Sequence, residues 1–211
     1  MAQTLKEEVK RRIIEAAKAE FYDKGYEKAS MRTIAKRAEM TVGNIYRYFE
    51  NKEAVHAYIT GSTSEDIENA IKKLASHKIS FETSVYGVKP NIKDISQMLD
   101  EFADDLVRIY VSNKEEFVIL FTDEKSKEML TSFFWKIFKY IIMTCYPLKK
   151  FEKQVGIITL SFANSIFAGL PIYFKEEQES AHSLANMLKI YFRIYASMLD
   201  FDIRMILNSL N

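Results

Sequence analysis

Cysteine, proline, glycine and net charge are all scarce in this chain of 211 residues. Its one cysteine, Cys145, cannot close an internal disulfide, and residues 1–20 carry no signal-peptide pattern, so the expected location is the reducing cytoplasm. Three prolines and six glycines are too few for an all-β sandwich or barrel, whose many turns consume both. A formal charge of +1, from 30 basic and 29 acidic side chains, argues against a histone-like coat for nucleic acid but says nothing about a local patch. His56, His77 and His182 with one cysteine give no zinc spacing, so no metal is expected. No HExxH, P-loop or GxGxxG motif occurs and no nucleophile–base pair stands out, so neither an enzyme nor a cofactor is expected. Charge is missing altogether from the 21 residues Gln154 to Phe174, long enough to cross a bilayer. That run nevertheless holds Gln154, Thr159, Ser161, Asn164, Ser165 and Pro171, and burial in a core or dimer accounts for it, so no membrane span is expected.

What the chain does have is apolar periodicity near 3.6, which predicts an all-α fold of about nine helices. Leu5, Val9, Ile13, Ala17 and Phe21 form one stripe over residues 1–24, and Gly25 stands where a helix end wants a left-handed residue. Ser30, Thr41 and Asn51 are N-cap candidates for helices over 31–38, 42–49 and from 52 to about 75. Residues 76–91, with Ser, Thr, Gly87, Pro90 and Asn91, read as a loop. Helices are predicted over 92–112, around Phe117–Phe121, over 129–146 with Pro147 as the stop, over 150–174, and over roughly 179–208. Gly169 and Pro171 are expected to kink or end the fourth of these.

Two short helices about three residues apart make a helix-turn-helix pattern. The second has Val42, Gly43, Asn44 and Arg47 available outward, while Ile45 and Phe49 can anchor it, as a helix entering a major groove requires. The stretch Gly25 to Val55 resembles the DNA-binding domain of the tetracycline-repressor (TetR) family of bacterial transcriptional regulators. Gly25, Tyr26, Ser30, Met31, Ile34, Ala35, Ala38, Val42, Gly43, Ile45, Tyr46, Tyr48, Phe49, Lys52 and Glu53 carry the likeness. One departure lies in the turn, Ala38-Glu39-Met40-Thr41, where the family usually has Ala-Gly-Val-Ser. Glu39 replaces a glycine that often takes positive φ, which costs ~1 kcal/mol and places a carboxylate near DNA.

The resemblance implies roles by position. Thr41, Val42, Gly43, Asn44 and Arg47 would face base edges or phosphates, Arg47 being the best guanine reader. Tyr46 and Tyr48 would approach phosphates or pack at the groove wall, Lys52 would bind a phosphate, and Ser30, Met31 and Arg32 would sit at the DNA backbone. It also implies a division into a helix-turn-helix domain, 1–52, and a helical ligand-binding and dimerisation domain, 53–211, joined by helix 52–75. Met98, Phe102, Tyr110, Phe117, Phe121, Phe134, Trp135 and Phe138 are the candidate ligand-pocket residues. Ile158, Phe162, Ser165, Ile166, Leu188, Tyr191, Phe192 and Tyr195 are the candidate dimer interface. The implied function is a sequence-specific repressor that binds palindromic operator DNA as a homodimer and is released by a small apolar or amphipathic inducer. The alternative is a member with degenerate DNA binding that acts as a ligand- or protein-binding module. Charge fits the first reading: residues 1–60 hold 12 basic and 9 acidic side chains, the remainder 18 and 20.

Overall fold

A computed structural model describes residues 2–84, 87–145, 152–175 and 180–198. Helix α1 (Ala2–Lys28) opens the chain. Its buried stripe begins effectively at Ile13 and runs through Ala17 and Phe21, whereas Leu5 is exposed. Gly25, at φ 73° and ψ 163°, breaks the helical geometry within it, as its left-handed tolerance allows. Helix α2 (Met31–Arg37) starts where the Ser30 hydroxyl accepts the Thr33 N–H at 3.1 Å. Helix α3 (Val42–Ile45) starts where the Thr41 hydroxyl accepts the Asn44 N–H at 3.2 Å. Regular helix ends there, four residues short of the expected Phe49. The amides of Arg47 and Tyr48 instead bond three residues back, to Asn44 and Ile45, so the chain tightens into turns. Helix α4 (Lys52–Ser76) is capped by Asn51, whose side chain accepts the Ala54 N–H at 2.7 Å.

The segment expected to be a loop contains an antiparallel hairpin, β1 (Phe81–Ser84) with β2 (Gly87–Pro90), in the register Phe81 opposite Pro90. Four-residue strands are too short for an alternating pattern to register in sequence. Asp94, in the first turn of the next helix, ties down the hairpin's base by accepting the Ser80 N–H at 2.9 Å and its hydroxyl. Those two hydrogen bonds hold the Asp94 carboxyl below the usual range.

Helices α5 (Ile92–Ser112), α6 (Lys114–Thr122), α7 (Glu124–Cys145), α8 (Glu152–Lys175) and α9 (Ala181–Met198) complete the described chain. Pro171 lies inside α8, which continues to Lys175; it does not end the helix as expected. Near that point Gly169 has no side chain because the Tyr191 ring of α9 occupies the space a Cβ would need. The Tyr191 hydroxyl donates to the Ile166 carbonyl at 2.7 Å. The expected stop at Pro147 and the continuation of the last helix beyond 198 lie outside the described residues.

Two apolar clusters organise these elements. One joins Ile13, Phe21, Ile34, Ile45, Phe49 and Val55 of α1–α4. The other joins α5–α9 with Ile67, Ala70 and Leu74 from the far half of α4. Helix α4 therefore belongs to both. So does α6: its Ile119 is fully buried in the first cluster, while Phe117, Val118, Leu120 and Phe121 lie in the second. Lys18 of α1 pairs with Glu116 of α6 at the same junction. Burial opposes the Lys18 charge, but Glu116 and Glu115 outweigh it and hold the pKa above its ordinary value.

Candidate nucleic-acid interface and ligand cleft

The capped turn between α2 and α3 sets the geometry of the candidate DNA surface. Ile45 is fully buried beneath α3, and Phe49 anchors the turn that follows. Their burial leaves Thr41, Gly43, Tyr46 and Arg47 exposed on the opposite side, with Val42 and Asn44 half-buried. The Arg47 side chain has no hydrogen-bond or ion-pair partner among the described residues, so its guanidinium is available. Ser30 and Arg32 are exposed on the neighbouring edge of α2. Lys36, one turn beyond Arg32, shares that exposure and was missed in sequence; the i, i+4 spacing of two cations on a short helix was the signal.

Two of the expected contacts are placed differently, and a third, Tyr48, is shared with the core. Met31 is buried in the helix-turn-helix core, because the first turn of α2 must cover α1. Tyr48 is half-buried against the same cluster. Lys52 turns inward: its ammonium donates to the carbonyls of Tyr26 at 2.7 Å and Ala29 at 3.1 Å and lies 4.4 Å from the Tyr26 ring centre. It neutralises the carbonyl-rich end of α1, leaving its charge spent inside the domain.

Glu39 has φ 55°, the single non-glycine residue with positive φ among the described residues. Its carboxylate lies 3.4 Å from Arg12, whose guanidinium also donates to the Ala38 carbonyl at 2.5 Å. Arg12 thus staples the end of α2 to α1. Arg37 does the same from the other side, reaching Asp23 at 2.7 Å and the buried Glu20 at 3.3 Å.

Seven of the eight residues expected to line a ligand pocket fill the body core instead. Met98, Phe102, Tyr110, Phe117, Phe121, Phe134 and Phe138 are all buried. The Phe117 and Phe121 rings stack at 4.4 Å, Phe117 meets Phe174 at 4.6 Å, and Phe102 meets Phe134 at 5.7 Å. Even the Tyr110 hydroxyl is used, donating to the Phe174 carbonyl at 3.2 Å. Trp135 is the exception. It lines a cleft of about 760 Å³ between α7 and α8, with Thr131, Leu160, Asn164, Phe167 and Pro171. A further recess of about 550 Å³ shares Trp135 and Leu160 with it. Cys145 is buried, which pushes its thiol up to about 11 and leaves it protonated and unreactive at neutral pH.

The expected dimer residues also divide. Ile166, Leu188 and Phe192 are buried in the chain's own core, so they cannot form a surface. Ile158 and Ser165 are exposed, and Phe162, Tyr191 and Tyr195 are half-buried. Other apolar side chains on the two helices reach the surface. Ile157, Leu160 and Ile172 of α8 and Met187, Ile190 and Ile194 of α9 are exposed, Ile190 by 61%. Helix α8 from Glu152 to Phe174 is long and apolar enough to cross a membrane by length and composition, with a third of its most apolar window buried inside the fold. Among the described residues no three His, Cys, Asp or Glu side chains cluster to hold a metal ion.

Residues 13–59 match the family model described as bacterial regulatory proteins, tetR family. That match takes in the second half of α1, all of α2 and α3 and the start of α4. It is 22% identical over 188 residues to the HTH-type transcriptional regulator YfiR of Bacillus subtilis, covering 86% of this chain and 88% of that one. It is 35% identical over 65 residues to the HTH-type transcriptional repressor KstR of Rhodococcus jostii, covering 31% of this chain and 30% of KstR. In fold it is similar to a TetR-like transcriptional regulator from Rhodococcus sp. RHA1, with a TM-score of 0.52 at 13% identity over 87% of this chain and 93% of the other. Both of these relatives, YfiR and KstR, are described as regulators of transcription.

Proposed function

We propose that this chain is a cytoplasmic homodimeric repressor of the tetR family that reads a palindromic operator with α2 and α3 and leaves it when a small apolar or amphipathic molecule binds. The observation that carries the DNA reading is the unpaired, exposed Arg47 on a short helix whose opposite face is buried. In this reading Arg47 grips a guanine edge, and Thr41, Gly43 and Asn44 lie against bases or adjacent phosphates. Ser30, Arg32, Lys36 and Tyr46 hold the DNA backbone. Val42 and Tyr48 pack at the groove wall. Met31 and Lys52 act beneath the surface, shaping the domain that presents the others. The working division falls within α4, between Ile59 of the first cluster and Ile67 of the second.

The exposed apolar faces of α8 and α9 support the dimer. Two helices from each copy would form a four-helix contact, with small Ser161 and Ser165 permitting close approach. A second copy covers α8 in this reading, so the protein is recovered in the soluble fraction without detergent; recovery only with detergent sinks it. Two recognition helices would then meet half-sites about 34 Å apart, or a multiple. Helix α6, which like α4 has residues in both apolar clusters, can transmit a ligand-bound state to the DNA-binding domain. The ligand must favour the released arrangement for that to occur.

Fluorescence anisotropy with DNA from the chain's own upstream region tests this reading. A palindrome should bind more tightly than scrambled DNA, and Arg47→Ala should weaken that binding about 5- to 100-fold. Equal affinity for all sequences with no effect of Arg47→Ala overturns it. The degenerate alternative is favoured by one observation, the Glu39 carboxylate on the turn. DNA binding that appears only in Glu39→Gly would establish that alternative.

A further inference from the structure

We propose that the α7–α8 cleft beside Trp135 binds a flat, uncharged, largely apolar molecule that carries a hydroxyl or amide hydrogen-bond donor. The inference rests on the ligand-responsive reading above and gives its ligand a place and a chemistry. The residues the sequence suggested as pocket lining pack against one another as core, whereas the cleft's volume of about 760 Å³ is that of a small-molecule site. Trp135, Leu160, Phe167 and Pro171 provide apolar walls.

Unspent polar groups distinguish this cleft from a gap in packing. Thr131 lines it and is only 8% exposed, yet its hydroxyl has no hydrogen-bond partner among the described residues. The helical threonines Thr122, Thr144 and Thr159 behave differently, each donating to a carbonyl three or four residues back at 2.8 Å. The Thr131 oxygen keeps contact with solvent, unlike that of Thr63, which is fully enclosed and unpartnered, so a ligand in the cleft exchanges a water for a hydrogen bond there. Pro171 adds a second acceptor. It has no N–H, so the Phe167 carbonyl, four residues back on the same cleft wall, loses its helical donor. The exposed Asn164 amide between them makes no bond to another described residue. At the rim Lys127 is neutralised by Glu124 at 2.7 Å, which leaves Glu128 and a weakly negative mouth that disfavours carboxylates and phosphates. The rim also lies on the first turns of α7, directly after α6, so an occupant bears on the helix that reaches the DNA-binding cluster.

Trp135 is the chain's only tryptophan, so its emission reports on this site. The full chain would be titrated with 2-naphthol, with 2-methoxynaphthalene, which lacks the donor, and with 2-naphthoate. Saturable changes are expected, with naphthol about fivefold tighter than the ether and naphthoate weakest. Thr131→Val should erase naphthol's advantage and leave the ether unaffected. Ala168→Phe should fill the cleft and abolish saturation; Thr131→Val keeps the test open if that variant misfolds. Three results overturn the proposal: absence of saturation, unchanged binding in a folded Ala168→Phe, or emission that follows protein concentration and not naphthol, which would mean a second copy covers the cleft. Naphthol that binds with full Thr131 dependence but leaves operator affinity unchanged upholds the site and sinks the release mechanism. No naphthol binding with intact operator binding sinks the site alone.

Discussion

The two apolar clusters are built by different rules. Around the helix-turn-helix, geometry is set by local devices: three N-caps at Ser30, Thr41 and Asn51, a positive-φ Gly25, and the Arg12, Arg37 and Lys52 side chains that staple helix ends to neighbours. The body also has side-chain caps, at Asn91, Asp123 and Ser180, but it is dominated by interlocking rings, with Phe102, Phe134 and Phe192 mutually in contact at 5.7–6.4 Å. A fold held by local hydrogen bonds can be read along the chain. A fold held by ring packing depends on partners tens of residues away, and its voids depend on them too.

Breaking the ring packing should have the largest effect. Phe134 is 1% exposed and meets four other phenylalanines besides its sequence neighbour. Phe134→Ala should destabilise the chain by about 3–5 kcal/mol, read from denaturant unfolding. A loss under about 1 kcal/mol would place Phe134 on a cavity wall after all.

Ile119 tests the boundary between the two regions. It sits on a body helix but is fully buried among the core residues of the helix-turn-helix cluster. Ile119→Ala should cost about 2–4 kcal/mol, and amide exchange should quicken in α1 as well as in α6. Faster exchange confined to α6 would mean the two clusters are independent, and the route from ligand to DNA would then need another element.

These contrasts explain what the sequence disclosed. The helix order, three N-caps and the strain at Glu39 were legible because each depends on residues within four positions. The outward α3 residues were legible for the same reason, as Ile45 and Phe49 fix which side is buried. Met31 and Lys52 were misread because both lie at helix starts, where exposure depends on what the preceding helix lays across them. The pocket was misread because aromatic content is identical in a filled core and a lined cavity. On α8 and α9 apolar residues occur on more than one face, so periodicity could not choose between Ile158 and Ile166, or between Ile190 and Phe192, as the outward residue. The four-residue strands fell below the length at which alternation is visible.

Removing a cap probes the local rule at smaller scale. Thr41→Ala deletes the acceptor for the Asn44 amide and should cost about 1 kcal/mol. Because α3 has just four residues, operator affinity should fall more than global stability does. Equal affinity in anisotropy would show that Ile45 and Phe49 alone hold the helix in place.

The smallest effect should come from Glu39→Gly, and its sign is opposite. A non-glycine residue at φ 55° is strained by roughly 1 kcal/mol, which glycine relieves. Two terms oppose that gain. Glycine has more freedom to lose on folding, and the variant gives up the 3.4 Å pair with Arg12. The pair contributes little, because the Glu39 side chain is 86% exposed, and Arg12 keeps its bond to the Ala38 carbonyl. The expected balance is a gain of about 0.5 kcal/mol or less, seen as a small rise in Tm. DNA affinity should rise further than stability, since the substitution also removes a negative charge facing phosphates and frees Arg12 to meet one. Its dependence on salt should steepen accordingly. A variant that gains stability without affinity would place Glu39 away from the DNA, and the turn would then matter for the fold alone.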